Sequence, residues 1–410
     1  MRILFCSPLK LLNTKGNVYN GGGWISSLIG MICMNSDYKI GVLSIDDKHS
    51  IDTIINDIHY YTIIRKPRKI VEQLKLFLGA DSVRAERSSW TYYKHEFIRI
   101  ITDFKPDVIY VFGSETELGL ISLVTKIPII LHIQGILNPY LNAYMPPGFS
   151  WHDNRCGLLS FYKNRMGRID WNRRCYRERI IIENINNYFG RTTWDKRLVR
   201  LMNPTCHYYE CWEILRNEFY ISGCRTIPER PVIVSVISSP HYKGFDVILK
   251  TAKLLKEFVF KDFVWSVYGN VQPASAEQHT GILHDKVNVC LRGVATAGNM
   301  VKELLNSSVY VHPSYIDNSP NSLCEAQILG CAVVATNVGG VSSLIEEGKT
   351  GFLVPANDPY QLAFLIKELC TDFNLNQTIG SEAKRVATKR HNGQKISNSI
   401  IEALNNIITI

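Results

Sequence analysis

Ten short runs rich in Val, Ile and Leu, separated by helix-patterned stretches, constrain the fold of this chain more than any other feature. In the first half they are Arg2–Cys6, Lys39–Ser44, Val108–Val111 and Ile129–Ile133. In the second half they are Val232–Ile237, Val264–Tyr268, Val287–Leu291, Val309–His312, Val333–Thr336 and Gly351–Val354. Continuous apolar runs suit strands buried on both faces, and alternation with helices builds parallel sheets from βα units. At 410 residues the chain is longer than one hydrophobic core usually sustains. The Gly- and Pro-containing stretch 221–231 precedes a clear strand and marks a boundary. The expected architecture is α/β: two doubly wound parallel-sheet domains facing across a cleft, residues 1–225 and 226–395. Residues 396–410 would form a C-terminal helix, with Ile400, Ile401, Leu404 and Ile407 on one face, packing back toward the first domain. In such sheets ligands sit outside the carboxyl ends of the strands.

Charge separates the halves. Residues 1–230 hold 31 Lys and Arg against 22 Asp and Glu, whereas residues 231–410 hold 15 of each. The first domain is thus expected to meet an anionic partner. No apolar run approaches the roughly 18 residues of a membrane-spanning helix. Met1–Pro8 reads as a first strand rather than a signal peptide, and eleven scattered cysteines point to free thiols in a reducing, cytoplasmic compartment. Cys206, His207 and Cys211 fit no zinc spacing, and no Asp-x-Asp triplet is present, so no metal is expected.

The most specific stretch is Val311–Ala326, VHPSYIDNSPNSLCEA, followed by ILGCAVVATNVGG. A buried strand ends at His312, and the polar loop Asp317–Pro320 leads into a helix with Asn321 or Ser322 as its N-cap and Gly330 as its stop. Such a helix start is an anion site, because its first N–H groups and the positive end of its dipole point at the ligand. Glu325 lies one turn in, where a carboxylate can accept both hydroxyls of a ribose while the amides hold a diphosphate. Asp317, eight positions earlier, would face the group carried on that diphosphate. Gly339 and Gly340, directly after the next strand, suggest close approach of backbone to ligand.

These residues resemble the Glu-x7-Glu signature of retaining, nucleotide-sugar-dependent glycosyltransferases of the GT-B architecture, family four. Val-His-Pro-Ser, Pro-Asn-Ser-Leu-x-Glu-Ala, Ala-Thr-Asn-Val-Gly-Gly and Gly-Lys-Thr-Gly-Phe-Leu-Val-Pro all match; the similarity is specific across Val232–Leu369 and looser before it. The resemblance implies two Rossmann-like domains, the second binding a nucleotide diphosphate sugar and the first presenting a lipid-linked or polysaccharide acceptor. It implies that Glu325 binds the ribose, that Asp317 and His132 contact the donor sugar, and that Ser319, Asn321, Ser322 and Leu323 line the donor. Asp317 is one methylene shorter than the family's glutamate. Lys243 matches one cation of the diphosphate clamp; Ser238 stands where the family has an arginine, with Arg292 one candidate replacement. Gly22 and Gly23 match the first glycine loop. No cofactor or metal is implied, and retention would proceed by same-face displacement, as no protein nucleophile is evident. A sugar-nucleotide epimerase of the same architecture is the alternative. A nucleic-acid binder fits poorly, because the second half is neutral.

The segment Arg155–Arg179 is strongly basic, with Leu159, Tyr162, Met166 and Ile169 at helical spacing. Lys163, Arg165, Arg168, Arg173, Arg174 and Arg177, supported by Arg65, Lys66, Arg68 and Lys69, are expected to face the acceptor or an anionic inner-leaflet surface.

Overall fold

The computed structural model describes residues 1–9, 23–34, 38–67, 70–151, 157–220, 223–238 and 241–409. In chain order the first domain contains β1 (Arg2–Ser7), α1 (Gly23–Met34), β2 (Lys39–Asp46), β3 (Ile51–Ile55), β4 (Ile58–Ile64), α2 (Ile70–Phe77) and α3 (Ser82–Phe104). It continues with β5 (Val108–Phe112), β6 (Ile129–His132), α4 (Leu137–Ala143), α5 (Leu158–Asn184), β7 (Asn187–Gly190), α6 (Thr193–Met202) and β8 (His207–Glu210). The second domain runs β9 (Val232–Val236), α7 (Phe245–Phe258), β10 (Val264–Tyr268), α8 (Ala274–Thr280), β11 (Val289–Gly293), α9 (Ala297–Leu305) and β12 (Val309–His312). It closes with α10 (Asn321–Ile328), β13 (Val333–Thr336), β14 (Phe352–Val354), α11 (Pro359–Thr371), α12 (Phe373–Arg390) and α13 (Gly393–Thr409).

The first sheet has the order β3-β4-β2-β1-β5-β6-β7-β8 and is parallel except for the β3–β4 pair. The second, β11-β10-β9-β12-β13-β14, is parallel throughout. Both are doubly wound, with chain direction switching beside β1 and beside β9; ligands in such sheets bind at those switch points. Apolar side chains pack on both faces of each sheet, in separate clusters. The expected runs form β1, β2, β5 and β6 of the first sheet and all six strands of the second, including its edges β11 and β14. Strands β3, β4, β7 and β8 were not among them: β3 and β4, IDTII and IHYYTII, mix polar with apolar residues in an antiparallel hairpin, and β7 and β8, NYFG and HYYE, are short and aromatic rather than aliphatic. Strand β11 begins two residues later than expected, since His284–Val287 winds into a 3-10 turn.

The C-terminal helix returns to the first domain. Ile396, Ile400, Leu404 and Ile407 of α13 share one buried cluster with Trp24, Ile25 and Leu28 of α1. Residues 211–231 connect the two sheets, and Ile214, Leu215 and Phe219 within that connector are buried. No helix among the described residues is long and apolar enough to cross a membrane.

Candidate active site

A cavity of about 170 Å³ opens between the two switch points. Gly23 and Trp24 at the start of α1 form one wall; Val236, Tyr268 and Gly269 at the ends of β9 and β10 form another. Asn321, Ser322 and Glu325 of α10 complete it, together with Arg216 from the connector.

Helix α10 starts differently from the sequence expectation. Pro320 occupies the N-cap at φ −67°, and no side chain caps the helix, because proline carries no side-chain acceptor. Leu323 N–H donates to the Pro320 carbonyl at 3.0 Å, so the N–H groups of Asn321 and Ser322 are those left without an intrahelical acceptor. The Asn321 amide nitrogen, in the orientation that satisfies both its atoms, lies 3.2 Å from a carboxylate oxygen of Glu213 in the connector. Ser322 Oγ accepts from the Tyr310 hydroxyl at 2.8 Å. Leu323 is fully buried and anchors the helix, while Ser319 is buried in the preceding loop. Gly330 ends the helix at φ 82°.

Gly339 and Gly340 pack against this loop. A Cβ at Gly339, which has φ 53°, would collide with the Asp317 carbonyl, and Gly340 N–H donates to that carbonyl at 2.9 Å. A Cβ at Gly340 would likewise meet the Asn318 carbonyl, so both glycines allow close approach to the backbone at 317–318.

Glu325 is 7% exposed and makes a bidentate pair with Arg216: Nε–Oε1 2.8 Å and Nη2–Oε2 2.8 Å. Burial pushes its carboxyl above the ordinary range, while the Arg216 hydrogen bonds oppose that shift. The pair spans the cavity, since the Arg216 stem packs against Gly23, whose Cβ would stand 3.4 Å from Cγ and Cδ.

Asp317 lies outside the cavity lining, in a buried cluster of its own. Lys243 Nζ donates to Oδ2 at 2.6 Å, His312 Nε2 lies 3.0 Å from the same oxygen, and the Tyr140 hydroxyl donates to Oδ1 at 3.3 Å. Burial alone would raise the Asp317 carboxyl, but Lys243 and His312 outweigh it and hold it below the usual range. Lys243 is therefore engaged with Asp317 rather than waiting for a diphosphate. Its ammonium, which burial would weaken, is strengthened by that carboxylate. Ser238 is exposed, and Arg292 is exposed on β11 with Nε donating to Ser266 Oγ at 3.2 Å, away from the cavity.

His132 ends β6 as expected but is fully buried, so it does not line the open cleft. Its Nδ1 pairs with the Tyr110 hydroxyl at 2.7 Å, and its ring lies 5.0 Å from that of Trp24. Burial, reinforced by Arg191, lowers its pKa and keeps the imidazole neutral. Gly22 lies outside the described residues; Gly23 lines the cavity.

The basic segment needs correction. Arg173 and Arg177 are buried in an ion network with Glu86 and Glu117, so they cannot meet an acceptor or a membrane. Arg165 donates to the Phe77 carbonyl, and Arg174 stacks over Trp171. Only Lys163 and Arg168 of the six are exposed. The reason is that α5 packs along its length against α2, α3 and α6, so most of its faces are covered. Beside its first turns, α2 exposes Ile70, Val71 and Leu74 to solvent, joined by Leu78, Leu159 and Tyr162. Phe77 and Tyr162 bring the two helices together, their rings 5.0 Å apart.

Sequence reasoning missed Arg216, Glu213 and Tyr140, and the seal made by Asn318. Thr192 Oγ1 donates to Asn318 Oδ1 at 2.7 Å, and Asn318 Nδ2 donates to Asp195 at 3.1 Å, joining the domains. The available signal was the apolar spacing of Ile214, Leu215 and Phe219, which marks the connector as buried rather than a free linker.

Residues 224–386 match the family model described as glycosyl transferases group 1. Over 91 residues the chain is 33% identical to the capsular polysaccharide biosynthesis glycosyltransferase CapM of Staphylococcus aureus, covering 22% of this chain and 24% of that protein. Over 115 residues it is 30% identical to the putative colanic acid biosynthesis glycosyltransferase WcaL of Salmonella typhimurium, covering 26% and 28%. The aligned stretches thus span about a quarter of these relatives. The fold is similar over nearly its whole length to sucrose-phosphate synthase from Thermosynechococcus elongatus (TM-score 0.74, 15% identity, 100% and 99% covered). It is also similar to Anabaena HepE solved with UDP and glucose (TM-score 0.63, 15% identity, 99% and 100% covered). These likenesses establish the two-domain GT-B architecture.

Proposed function

We propose, from the premise that residues 224–386 belong to the glycosyl transferases group 1 family, that the whole chain moves a sugar from a nucleotide diphosphate sugar to an acceptor hydroxyl with retention of configuration. The observation that carries this reading is the walled-in carboxylate of Glu325 beside the uncapped start of α10, at the switch point between β9 and β12. Glu325 would take the ribose diol and the α10 amides the diphosphate. The reaction needs stabilisation of a departing diphosphate and an oxocarbenium-like sugar, which fixed dipoles and cations supply. The acceptor hydroxyl would attack the face the diphosphate leaves, giving its proton to a departing phosphate oxygen. Asp317, held ionised, would meet the donor sugar, with His132 supporting Trp24 behind it. No metal is assigned to the site. The matched family is one of transferases, which gives the epimerase reading no support.

The acceptor in this proposal is a glycan or lipid-linked intermediate, presented by the first domain on the cytoplasmic side of a membrane. The exposed apolar residues of α2, flanked by Lys75, Lys163 and Arg168, suit an anionic lipid surface better than the buried arginines of α5 do. A thermal-shift screen of uridine, guanosine and adenosine diphosphate sugars tests the donor assignment. One of them should stabilise the protein, and Glu325→Ala should remove that stabilisation. Turnover of Glu325→Ala within about threefold of the parent enzyme would defeat the proposal.

A further inference from the structure

Arg216 has no place in the reading so far except as the partner of Glu325, and that pairing raises a problem. A nucleoside diphosphate brings two or more negative charges into a cavity that already holds a carboxylate. Among the described residues lining the cavity, Arg216 is the only cation; Lys243 lies outside it, paired with Asp317. Both forks of the guanidinium are spent on Glu325. The ribose diol assigned to Glu325 would therefore compete with Arg216 for the same two carboxylate oxygens. Once displaced, a side chain with only 27% exposure would be left carrying an unpaired charge. Such a group seeks an anion within reach.

The surroundings limit where it can go. The Arg216 stem is held against Gly23 at the start of α1, and its head lies beside Asn321 and Ser322 at the start of α10. Its Cζ also sits 4.8 Å from the Phe219 ring centroid, which restrains movement away from the cavity. The guanidinium thus sits between two helix starts, the region where an anion gains most from backbone N–H groups. We propose that Arg216 is the diphosphate-binding cation of this protein: it pairs with Glu325 in the free protein and transfers to the diphosphate when the ribose takes Glu325. Two charge-assisted hydrogen bonds are exchanged for two others, so the free site keeps its carboxylate paired and the loaded site keeps its diphosphate neutralised. The inference rests on the donor-site reading above and assigns a residue from the connector to it.

The test compares nucleosides with their diphosphates by calorimetry on the full chain, using uridine, guanosine and adenosine against UDP, GDP and ADP. The parent protein should bind one diphosphate far more tightly than its nucleoside. Arg216→Met should lose about 10- to 100-fold of diphosphate affinity. It should bind the matching nucleoside as well as the parent or several-fold better, because the competitor for Glu325 is gone. Arg216→Lys, which keeps a charge without the fork, should recover part of the loss, and a retained thermal midpoint shows that both variants are folded. If Arg216→Met bound the diphosphate as tightly as the parent, Arg216 would be only a competitor for Glu325 and the inference would fail. If the parent bound none of the three diphosphates, the donor-site reading itself would fail.

Discussion

Replacing Lys243 by Met tests whether Asp317 is held as a buried anion. In the folded protein Nζ stands 2.6 Å from Oδ2, and the side chains keep 18% and 9% of their surface exposed. Methionine preserves the stem and removes the charge. Removing one partner of a buried pair costs about 3–5 kcal/mol, because the remaining charge stays out of water. Here His312, Ser314 and Tyr140 still surround the carboxylate, so the loss should fall near 3 kcal/mol at pH 7.5.

The pH dependence separates this account from a packing defect. In the parent, the Asp317 carboxyl is held below its ordinary value, so its contribution is complete above the unfolded value of about 3.9 and lost as pH falls through the lower folded one. In Lys243→Met, burial acts with less opposition and the folded value rises above 3.9. Its contribution is then present in acid and lost as pH rises through that value. The stability gap between the two proteins must therefore widen from pH 4.5 to pH 7.5, which urea unfolding at the two values would measure. The double variant Lys243→Met with Asp317→Asn should recover much of the loss at pH 7.5, since neither buried partner then carries a charge. A gap of equal size at both pH values, or a double variant no more stable than the single one, would refute the reasoning.

Other consequences follow from the same structure. Gly339→Val combines a φ of 53° with a collision against the Asp317 carbonyl, so we expect a loss of 2 kcal/mol or more, on the order of the cost of a strained backbone position, and impaired transfer. Thermal unfolding and a turnover assay would check it. Arg177→Met should cost about 1.5–3 kcal/mol, because Arg173 still pairs with Glu86 and Arg65 with Glu117, and should leave liposome flotation unchanged. Leu74→Glu with Leu78→Glu should abolish flotation with anionic vesicles at low salt while donor binding by calorimetry stays the same; flotation as strong as the parent's would remove the membrane proposal. Glu325→Ala should weaken nucleoside binding about 10- to 100-fold without touching the affinity for inorganic diphosphate by as much.

What was legible in the sequence was whatever a local pattern encodes. Val309–His312 and Val333–Thr336 announce buried strands because each opens with three successive apolar residues in a short run, and the loop between them announces a helix start. The position of Glu325 one turn inside α10 follows from the same stretch. What was not legible depended on partners far along the chain. Lys243 looked like a free cation because Asp317 lies 74 positions away, and only the fold brings the ammonium to the carboxylate. Arg173 and Arg177 looked like a solvated basic face, since nothing near them in sequence foretells that Glu86 and Glu117, from other elements, pair with them. His132 was correctly placed at a strand end, but strand ends differ in depth, and the ring of Trp24 covers this one. Arg216 is the extreme case. It sits in a connector whose apolar spacing at Ile214, Leu215 and Phe219 marks burial but says nothing of a charge's partner, 109 positions from the carboxylate it grips, and its neighbour across the cavity is a glycine near the start of the chain. Charge placed by the connector has a physical consequence that charge placed by either sheet would lack. A guanidinium carried between the domains can hold the empty cavity together and still be released when a ligand replaces its partner.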